Sequence, residues 1–352
     1  MSHESVLVGL SGGVDSAVAA MLLLERKYRV TGVMMRVYDG PKSTSTGHAC
    51  YDCGEEEDSE SAANLAKMLG IPFYLFDCAK EYKRIVLDYF RQSYLSGLTP
   101  NPCVRCNHLM KFGVLPSLAR AKGLSFTHFA TGHYARISPS SPWGGPLLRR
   151  AVDKRKDQTY FLYRLTQQQL SAAIFPVGGM TKDAVRALAA QKGLPMHNQP
   201  DSQDFYPGDY TDLLHITDKK GNIVDTQGRI LGTHDGHWYF TPGQRKGLGI
   251  AAPQALYVLR VDAAKNEVVV GAEDECLTAG CVLDDVYLAA PVEGQNLFAR
   301  IRSSQALFPV SVTPQNKRRL AVTFLEPQRA VAPGQSLVLY QEDLVMGGGI
   351  IQ

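Results

Sequence analysis

The sequence predicts an α/β protein with a mostly parallel sheet, followed by a region of antiparallel strands and small barrels. Over roughly the first 200 residues, short apolar runs alternate with amphipathic helical segments. Such alternation is typical of a parallel sheet covered by helices on both faces. Beyond that point, short alternating segments are separated by Gly and Pro, a pattern typical of antiparallel strands and small barrels.

Each element of the first part follows from its local pattern. Strands are predicted over residues 5–10, 29–37, 71–77 and 126–135, and helices over 15–28, 59–70, 80–97 and 111–123. Helical patterns continue from about 157 to 193, after a loop predicted over 138–146 by its Ser, Pro and Gly content. Ligands of such sheets bind beyond the carboxyl ends of the strands.

The composition is that of a folded globular chain. Hydrophobic residues make up 45% of the 352 residues and charged residues 20%, and this length predicts two or three domains. The net charge of +3 neither requires nor excludes nucleic acid. The longest apolar runs, such as residues 71–76, are too short for a membrane span, and the N-terminus lacks the pattern of a signal peptide. We therefore expect a cytoplasmic protein with no membrane partner.

A glycine-rich turn, GLSGGVDS at residues 9–16, joins the first strand to the first helix. Its two glycines allow a tight turn, so that the amides and dipole of the helix face an anion. Its two serines add hydroxyl donors. The turn lacks the Lys of a Walker A loop and carries Asp15 instead, and a carboxylate beside polyphosphate is typical of a Mg²⁺ ligand. The alternative is a plain glycine turn that begins a helix.

The segment TPNPCVRCN carries Cys103 and Cys106 in a C-x-x-C pattern, which leaves three interpretations. In the first, the two cysteines are ordinary loop thiols. In the second, they form half of a Zn²⁺ or iron–sulfur site that Cys50 and Cys53 complete. In the third, one of them carries a nucleophile or persulfide, with a thiol pKa lowered by Arg105 and nearby amides. Seven cysteines in a chain expected in the cytoplasm argue against a disulfide framework.

Longer motifs are similar to those of a known family. TPNPCVRCNHLMKFG resembles the T-P-N-P-D-x-x-C-N-x-x-I-K-F segment of bacterial tRNA 2-thiouridylases, and the glycine turn resembles the loop of the PP-loop ATP-pyrophosphatase superfamily. ATGHYAR, KDQTYFL, GQRKGLGI and GGGII resemble other motifs of the thiouridylase family. The resemblance runs in order along essentially the whole chain. It implies adenylation of the wobble uridine (U34) of certain tRNAs by ATP, followed by placement of sulfur on C2.

The resemblance also implies a domain layout and a set of site residues. The expected domains are a PP-loop catalytic domain over residues 1–200, a central β-rich domain over 201–275 and a C-terminal β-barrel over 276–352. Cys106 falls on the nucleophile of the family, and Cys103 and Asp15 are further catalytic candidates. The implied ATP-binding residues are Gly9, Ser11, Gly12, Gly13, Val14, Asp15, Ser16, Met35 and Gly132. The implied tRNA-binding residues are Asn101, Pro102, Lys156, Asp157, Gln158 and Arg302.

Two departures from the family concern sulfur delivery. Cys103 stands where the family has Asp, and the second catalytic Cys of the family, in a segment like S-Q-D-x-C-F, has no counterpart in DSQDFYPGDY. The first expectation is that Cys103, or a cysteine of the pair Cys50 and Cys53, takes the place of the missing persulfide partner. The second, from related thiolases, is a [4Fe–4S] cluster on Cys103, Cys106 and one of Cys50 or Cys53, with Zn²⁺ as the alternative metal.

The expected partners are tRNA and a sulfur donor, which is a cysteine desulfurase, a relay protein or inorganic sulfide. Two rival functions are sulfur transfer to another tRNA position and zinc-stabilised tRNA binding without thiolation.

Among the remaining residues, His133 is either a phosphate or base contact or a hydrogen-bonded structural residue. The basic run at 149–158 is either a phosphate contact or a solvated surface. Cys78, Cys276 and Cys281 are expected to be small apolar side chains of the fold.

Overall fold

The computed structural model describes residues 4–38, 51, 55–198, 206, 210–214, 216–316 and 318–352. The chain divides into two compact units. The first comprises residues 1–86, 102–210 and 343–345, and the second comprises residues 87–101, 211–342 and 346–352. No helix within the described ranges is long and apolar enough to cross a membrane.

The strands of the first unit are β1 (Ser5–Gly9), β2 (Arg29–Arg36), β3 (Phe73–Asp77), β4 (His128–Ala130), β5 (Ala135–Ser138), β6 (Leu147–Arg150) and β7 (Ala173–Ile174). Five of them form a parallel sheet in the order β3-β2-β1-β4-β7. In the central strand, Val8 lies opposite Gly32 on one side and Ala130 on the other. Strand β1 is a continuous apolar run because helices cover both faces of such a sheet.

The helices of the chain are α1 (Val14–Glu25), α2 (Glu55–Leu69), α3 (Ala79–Tyr82), α4 (Asp88–Leu95), α5 (Pro102–Arg105), α6 (Leu115–Ala121), α7 (Thr159–Leu162), α8 (Gln167–Ala172), α9 (Lys182–Gln191) and α10 (Tyr210–Leu214). Helices α1, α2 and α9 share a hydrophobic core with β1. Val8, Ala17, Leu65 and Val185 belong to this core and are at most 1% exposed. Small side chains on α1 let it pack closely on the sheet, which fixes the loop that precedes it.

Two π-helical turns, Lys83–Leu87 and Cys106–Val114, interrupt predicted helices. The first lies inside the segment 80–97, which was expected to be one helix. There, Arg105 Nε donates a hydrogen bond to the carbonyl oxygen of Ile85 at 2.6 Å. A side chain that takes a carbonyl from the helical ladder is a known cause of such irregularity. The strand predicted over 126–135 ends at Ala130, because the chain then turns against the start of α1.

The strands of the remaining part are β8 (Gly221–Val224), β9 (Ile230–His234), β10 (Tyr257–Asp262), β11 (Glu267–Gly271), β12 (Leu277–Leu288), β13 (Leu297–Arg300), β14 (Phe308–Asn316), β15 (Arg319–Arg329), β16 (Ser336–Gln341) and β17 (Leu344–Ile351). A four-stranded sheet has the order β10-β11-β8-β9. Its β11 and β8 pair in parallel, although antiparallel strands were expected throughout this region.

A six-stranded antiparallel barrel ends the chain. Its order is β12-β15-β14-β13-β16-β17, and pairing of β12 with β17 closes it. Within the first unit, Leu344 at the start of β17 also pairs with Arg149 of the β5–β6 hairpin. The predicted fold class is therefore confirmed: a parallel α/β sheet precedes a small central sheet and a closed β-barrel.

Candidate functional site

The loop between β1 and α1 is built around a left-handed glycine. Gly12 has φ +75°, and a Cβ there would lie 2.9 Å from the carbonyl oxygen of Asp58. Ser16 Oγ closes the loop from inside: it donates to the carbonyl oxygen of Gly13 at 3.0 Å and accepts from the amide of Ser11 at 3.2 Å. The sequence therefore fixes both the backbone path and the hydroxyls of this turn.

The N-terminus of α1 opens from this loop without a side-chain cap. Gly13 is the N-cap residue and makes no side-chain hydrogen bond, since glycine has no side chain. The amides of the first helical turn therefore keep their donor capacity, and the dipole of a 12-residue helix adds positive potential. Such an end is suited to a phosphate group.

Asp15, the expected Mg²⁺ ligand, has protein partners in this structure. Lys182 Nζ lies 2.8 Å from each of its carboxylate oxygens. The hydroxyl of Tyr134 donates to Oδ1 at 2.8 Å. The Lys182 side chain is 6% exposed and that of Asp15 is 29% exposed, so the carboxylate keeps one side open while the ammonium lies beneath it.

The loop after β4 packs directly on the first turn of α1. A Cβ at Gly132 would lie 2.7 Å from the amide nitrogen of Ser16, so only glycine fits at this position. His133 follows, and its Nδ1 shares a 2.8 Å hydrogen bond with Thr131 Oγ1. Burial and the nearby Lys111 ammonium hold the pKa of His133 well below its usual range. His133 is therefore a neutral hydrogen-bonding group at neutral pH.

The remaining predicted nucleotide residues lie on either side of this loop. Gly9 ends β1, and Met35 is the last residue but one of β2. Both are partly buried. Because β2 and β4 flank β1 in the sheet, Met35 and Gly132 lie at the same carboxyl edge as the phosphate loop. The structure thus brings together the residues from 9 to 16 with Met35 and Gly132.

The C-x-x-C pair spans the junction of α5 and the second π-helical turn. Cys103 lies in α5 and Cys106 begins the π-helical turn, and both are partly buried. Gln169 Nε2 donates to the carbonyl oxygen of Phe112 at 3.0 Å. The same amide donates to the carbonyl oxygen of His108 at 2.9 Å. Gln169 therefore joins two carbonyls of the π-helical turn that Cys106 begins.

The other described cysteines lie in environments that keep them protonated. Burial raises the pKa of Cys78 to about 12 and that of Cys281 to about 12. Burial also raises the pKa of Cys276. Such thiols are poor nucleophiles, because the thiolate is the reactive form. Their expected role as small side chains of the fold agrees with this.

Cys50 and Cys53, the other half of the predicted metal site, lie outside the described residues. Among the residues that are described, no group of three or more His, Cys, Asp or Glu side chains could hold a metal ion. Tyr51, between those two cysteines in the sequence, is described. Its ring stacks on Tyr82 at a centroid distance of 5.5 Å and an interplanar angle of 5°. Tyr82 belongs to α3, which packs against the π-helical turn that Cys106 begins.

The segment KDQ at residues 156–158, predicted to contact tRNA, is fixed by an ion pair and a hydrogen bond within the first unit. The Asp157 side chain is 0% exposed and its Oδ2 lies 3.2 Å from Arg150 Nε. Gln158 Oε1 accepts from the amide of Tyr134 at 2.8 Å. Lys156 is partly buried. The structure therefore gives Asp157 and Gln158 the role of fixing this loop.

The last three predicted tRNA residues are divided between the two units. Pro102 is buried at the start of α5, in the first unit. Asn101 is 8% exposed and belongs to the second unit. Arg302 is partly buried in the turn that follows β13, also in the second unit.

Three family models match the chain in order. They are the tRNA methyl transferase HUP domain over residues 4–206, the tRNA methyl transferase PRC-barrel domain over 213–272 and the aminomethyltransferase beta-barrel domain over 284–351. The chain is 45% identical over 359 residues to the tRNA-specific 2-thiouridylase MnmA of Endomicrobium trichonymphae, with 99% of each chain covered. It is 43% identical over 360 residues to that of Geotalea uraniireducens, with 99% of this chain and 95% of that one covered.

This chain belongs to the tRNA-specific 2-thiouridylase MnmA family. The resemblance found in its motifs is thereby confirmed. Among solved structures, a 4-thiouridine synthetase in complex with RNA and ATP shares 17% identity and has a TM-score of 0.34 over 57% of this chain and 44% of that one.

Within this MnmA family member, the sequence did not reveal Lys182. The residue begins α9, in a segment predicted only as a helix. One local signal was available, because a cation in the first turn of a helix opposes the helix dipole. Tyr134 lies in the motif ATGHYAR, but its hydroxyl gained a role only when the fold placed it beside Asp15.

Proposed function

We propose that this chain is an ATP-dependent tRNA thiolase that replaces O2 of the wobble uridine with sulfur. The observation that supports it best is the open, uncapped N-terminus of α1 behind the Gly12–Gly13 turn. This anion site occurs in a chain that matches MnmA relatives over 99% of its length. Intracellular tRNA is the substrate, so we place the protein in the cytoplasm.

ATP activates the uridine oxygen in the first step. The residues from Gly9 to Ser16 bind its phosphates, while Met35 and Gly132 border the adenosine. The uridine O2 attacks the α-phosphorus, pyrophosphate leaves, and the base becomes an O-adenylate with AMP as its leaving group. The open side of the Asp15 carboxylate and the ATP phosphates form a donor set suited to Mg²⁺, which would neutralise phosphate charge.

Cys106 delivers sulfur in the second step. As a persulfide, its terminal sulfur attacks C2 and AMP departs. Cys103 then attacks the sulfur of Cys106, which breaks the bridging S–S bond, leaves 2-thiouridine and forms a Cys103–Cys106 disulfide. An external dithiol must reduce this disulfide before the next turnover. The spacing of the two residues, three apart on one helical segment, favours such an exchange.

A second version of the sulfur step uses a metal. The stacking of Tyr51 on Tyr82 supports it, because Tyr51 lies between Cys50 and Cys53 in the sequence and Tyr82 belongs to a helix that packs against the Cys106 segment. Cys103, Cys106 and one of Cys50 or Cys53 would hold a [4Fe–4S] cluster, and the chemistry it would supply is binding of hydrosulfide. Zn²⁺ on the same thiolates would be structural.

The proposed tRNA contacts combine basic side chains with residues near the C-x-x-C pair. Lys156 and Arg302 supply positive charge for phosphates, as tRNA binding requires. Asn101 and Pro102 border the target base. Asp157 and Gln158 act by shaping the loop that carries Lys156. In the persulfide version, the sulfur donor is a cysteine desulfurase or a relay protein that transfers persulfide sulfur to Cys106; in the metal version, it is inorganic sulfide.

The test uses protein purified without oxygen and tRNA transcripts. Mass spectrometry of the digested tRNA should show 2-thiouridine that depends on ATP and sulfide or a persulfide donor. Cys106→Ser should abolish this product and retain pyrophosphate release, whereas Cys281→Ser, the control on β12, should behave like the wild type. Pyrophosphate release without any thiolated nucleoside would contradict thiolation at this position.

Metal analysis separates the two versions of the sulfur step. Iron and acid-labile sulfide that disappear in Cys103→Ala would establish the cluster. Zinc alone would indicate a structural site and a sulfur carrier elsewhere, and tRNA binding without pyrophosphate release would then favour the rival tRNA-binding function. Protein without bound metal that still thiolates tRNA would establish the persulfide route.

A further inference from the structure

Lys182 occupies a position that local helix energetics disfavours. It is the first residue of α9, where the helix dipole opposes a cation. Its side chain is 6% exposed, and burying an ammonium costs free energy unless it is paired. Residues that break a local rule in this way are typical of functional sites.

Asp15 places a negative charge where an anionic ligand is expected. Its carboxylate lies in the first turn of α1, at the end of the helix where the phosphates of ATP are expected. An ionised carboxylate there would repel phosphate across a few ångströms. With Lys182 Nζ 2.8 Å from both of its oxygens, this charge is cancelled.

The two residues share a third partner that fixes their geometry. Tyr134 is 2% exposed. Its hydroxyl donates to Asp15 Oδ1 at 2.8 Å, and its ring centroid lies 5.8 Å from Lys182 Nζ. The carboxylate is thus held from two directions, and its orientation is set before any ligand arrives.

We propose that Lys182 is a positioning residue for ATP binding. Its ammonium neutralises and orients Asp15, so that the positive potential of the α1 N-terminus acts on the phosphates without an opposing charge. This inference rests on the proposed binding of ATP at the loop. The net charge of the Asp15–Lys182 pair then controls the affinity for ATP. A negative pair weakens binding and a positive pair strengthens it, whichever of the two residues is changed.

Four proteins separate this role from others. The net charge of the pair is zero in the wild type, −1 in Lys182→Met, +1 in Asp15→Asn and zero again in the double variant. A unit charge about 5–8 Å from a phosphate charge, at an effective dielectric constant of about 20, changes affinity by about 30-fold to 300-fold. Lys182→Met should therefore weaken ATP binding by at least about tenfold.

The measurement is isothermal titration calorimetry with ATP in EDTA, without tRNA, so that no metal acts on Asp15. The expected order of affinity is Asp15→Asn above wild type, wild type similar to the double variant, and Lys182→Met lowest. Circular dichroism of each variant confirms folding. If Lys182→Met does not fold, Asp15→Asn and the double variant still test the order.

Each other result overturns the assignment. Double and single Lys182 variants that are equally weak would show that Lys182 contacts phosphate directly. Both single variants weaker than wild type, whatever the sign of the charge, would show a purely structural pair. A wild type that binds no ATP either in EDTA or with Mg²⁺ present would overturn the proposed function itself, which distinguishes that failure from failure of the Lys182 inference.

Discussion

Replacing Asp157 with Ala tests whether this residue contacts tRNA or holds the loop that does. The carboxylate is 0% exposed and lies 3.2 Å from Arg150 Nε. It also accepts from the amide of Ala151 at 3.1 Å and from Thr159 Oγ1 at 3.0 Å. These bonds tie the end of β6 to the start of α7, so the side chain faces the interior of the first unit.

The cost of the substitution follows from the charge it leaves behind. Arg150 has a side chain that is 12% exposed, and an ion pair that loses one buried partner typically costs about 3–5 kcal/mol. In a unit of this size each kcal/mol lowers Tm by about 2–4 °C. We therefore expect Tm to fall by about 6–20 °C in Asp157→Ala and by less in Asp157→Asn, which keeps one acceptor.

The assay combines thermal unfolding by circular dichroism with tRNA binding by fluorescence anisotropy at a temperature where all variants are folded. Asp183→Ala is the matched control, because Asp183 is 86% exposed and lies 3.5 Å from Arg155. The control should lower Tm by no more than about 4 °C, since an exposed ion pair and an exposed carboxylate in the first turn of a helix each contribute little. Lost tRNA affinity with an unchanged Tm in Asp157→Ala would refute the reasoning.

Gly12→Ala should weaken ATP binding at least about tenfold in calorimetry, because its Cβ would lie 2.9 Å from the carbonyl oxygen of Asp58 at φ +75°; Gly123→Ala, at φ +88° in open space, should not. His133, with a pKa lowered by burial in the folded state, binds its proton first in the unfolded chain. Wild-type stability in urea should therefore fall as pH drops below about 6.5, and less so in His133→Asn; equal pH slopes would contradict this. Gln169→Ala removes two hydrogen bonds to carbonyls of the π-helical turn and should cost about 1–3 kcal/mol. Hydrogen exchange of residues 106–114 should rise, and unchanged exchange would argue against the role of these bonds.

The parts of the fold that the sequence predicted well are those with a local cause. The strand–loop–helix order around residues 5–25 follows from a buried apolar run, two glycines and an alanine-rich helix. The interruption of the helix expected over 80–97 has a distant cause, since Arg105 reaches the carbonyl of Ile85 from another segment. The parallel pairing of β11 with β8 likewise depends on topology, which periodicity does not encode.

The residues of the candidate site also divide into those with a local cause in the sequence and those brought together only by the fold. Gly12 and Ser16 were predicted because one short string determines the loop. Lys182 was not, because 167 residues separate it from Asp15 and only the packing of α9 on α1 brings them together. The proposed tRNA role of Asp157 came from a motif, whereas its full burial is a property of the fold.

The order of the sheet explains why residues so far apart in sequence meet at one edge. Strand β1 connects to β2 on one side, and the chain returns after β3 to form β4 on the other side of β1, so the strand order reverses at β1. In open α/β sheets, ligands bind at such a point, beyond the carboxyl ends of the strands. The loop after β1, Met35 in β2 and Gly132 after β4 lie at this edge. Helix α9 lies on the same side of the sheet as α1, which allows Lys182 to reach Asp15 from below. The phosphate loop supplies the shape of the anion site, and the buried ammonium sets its charge.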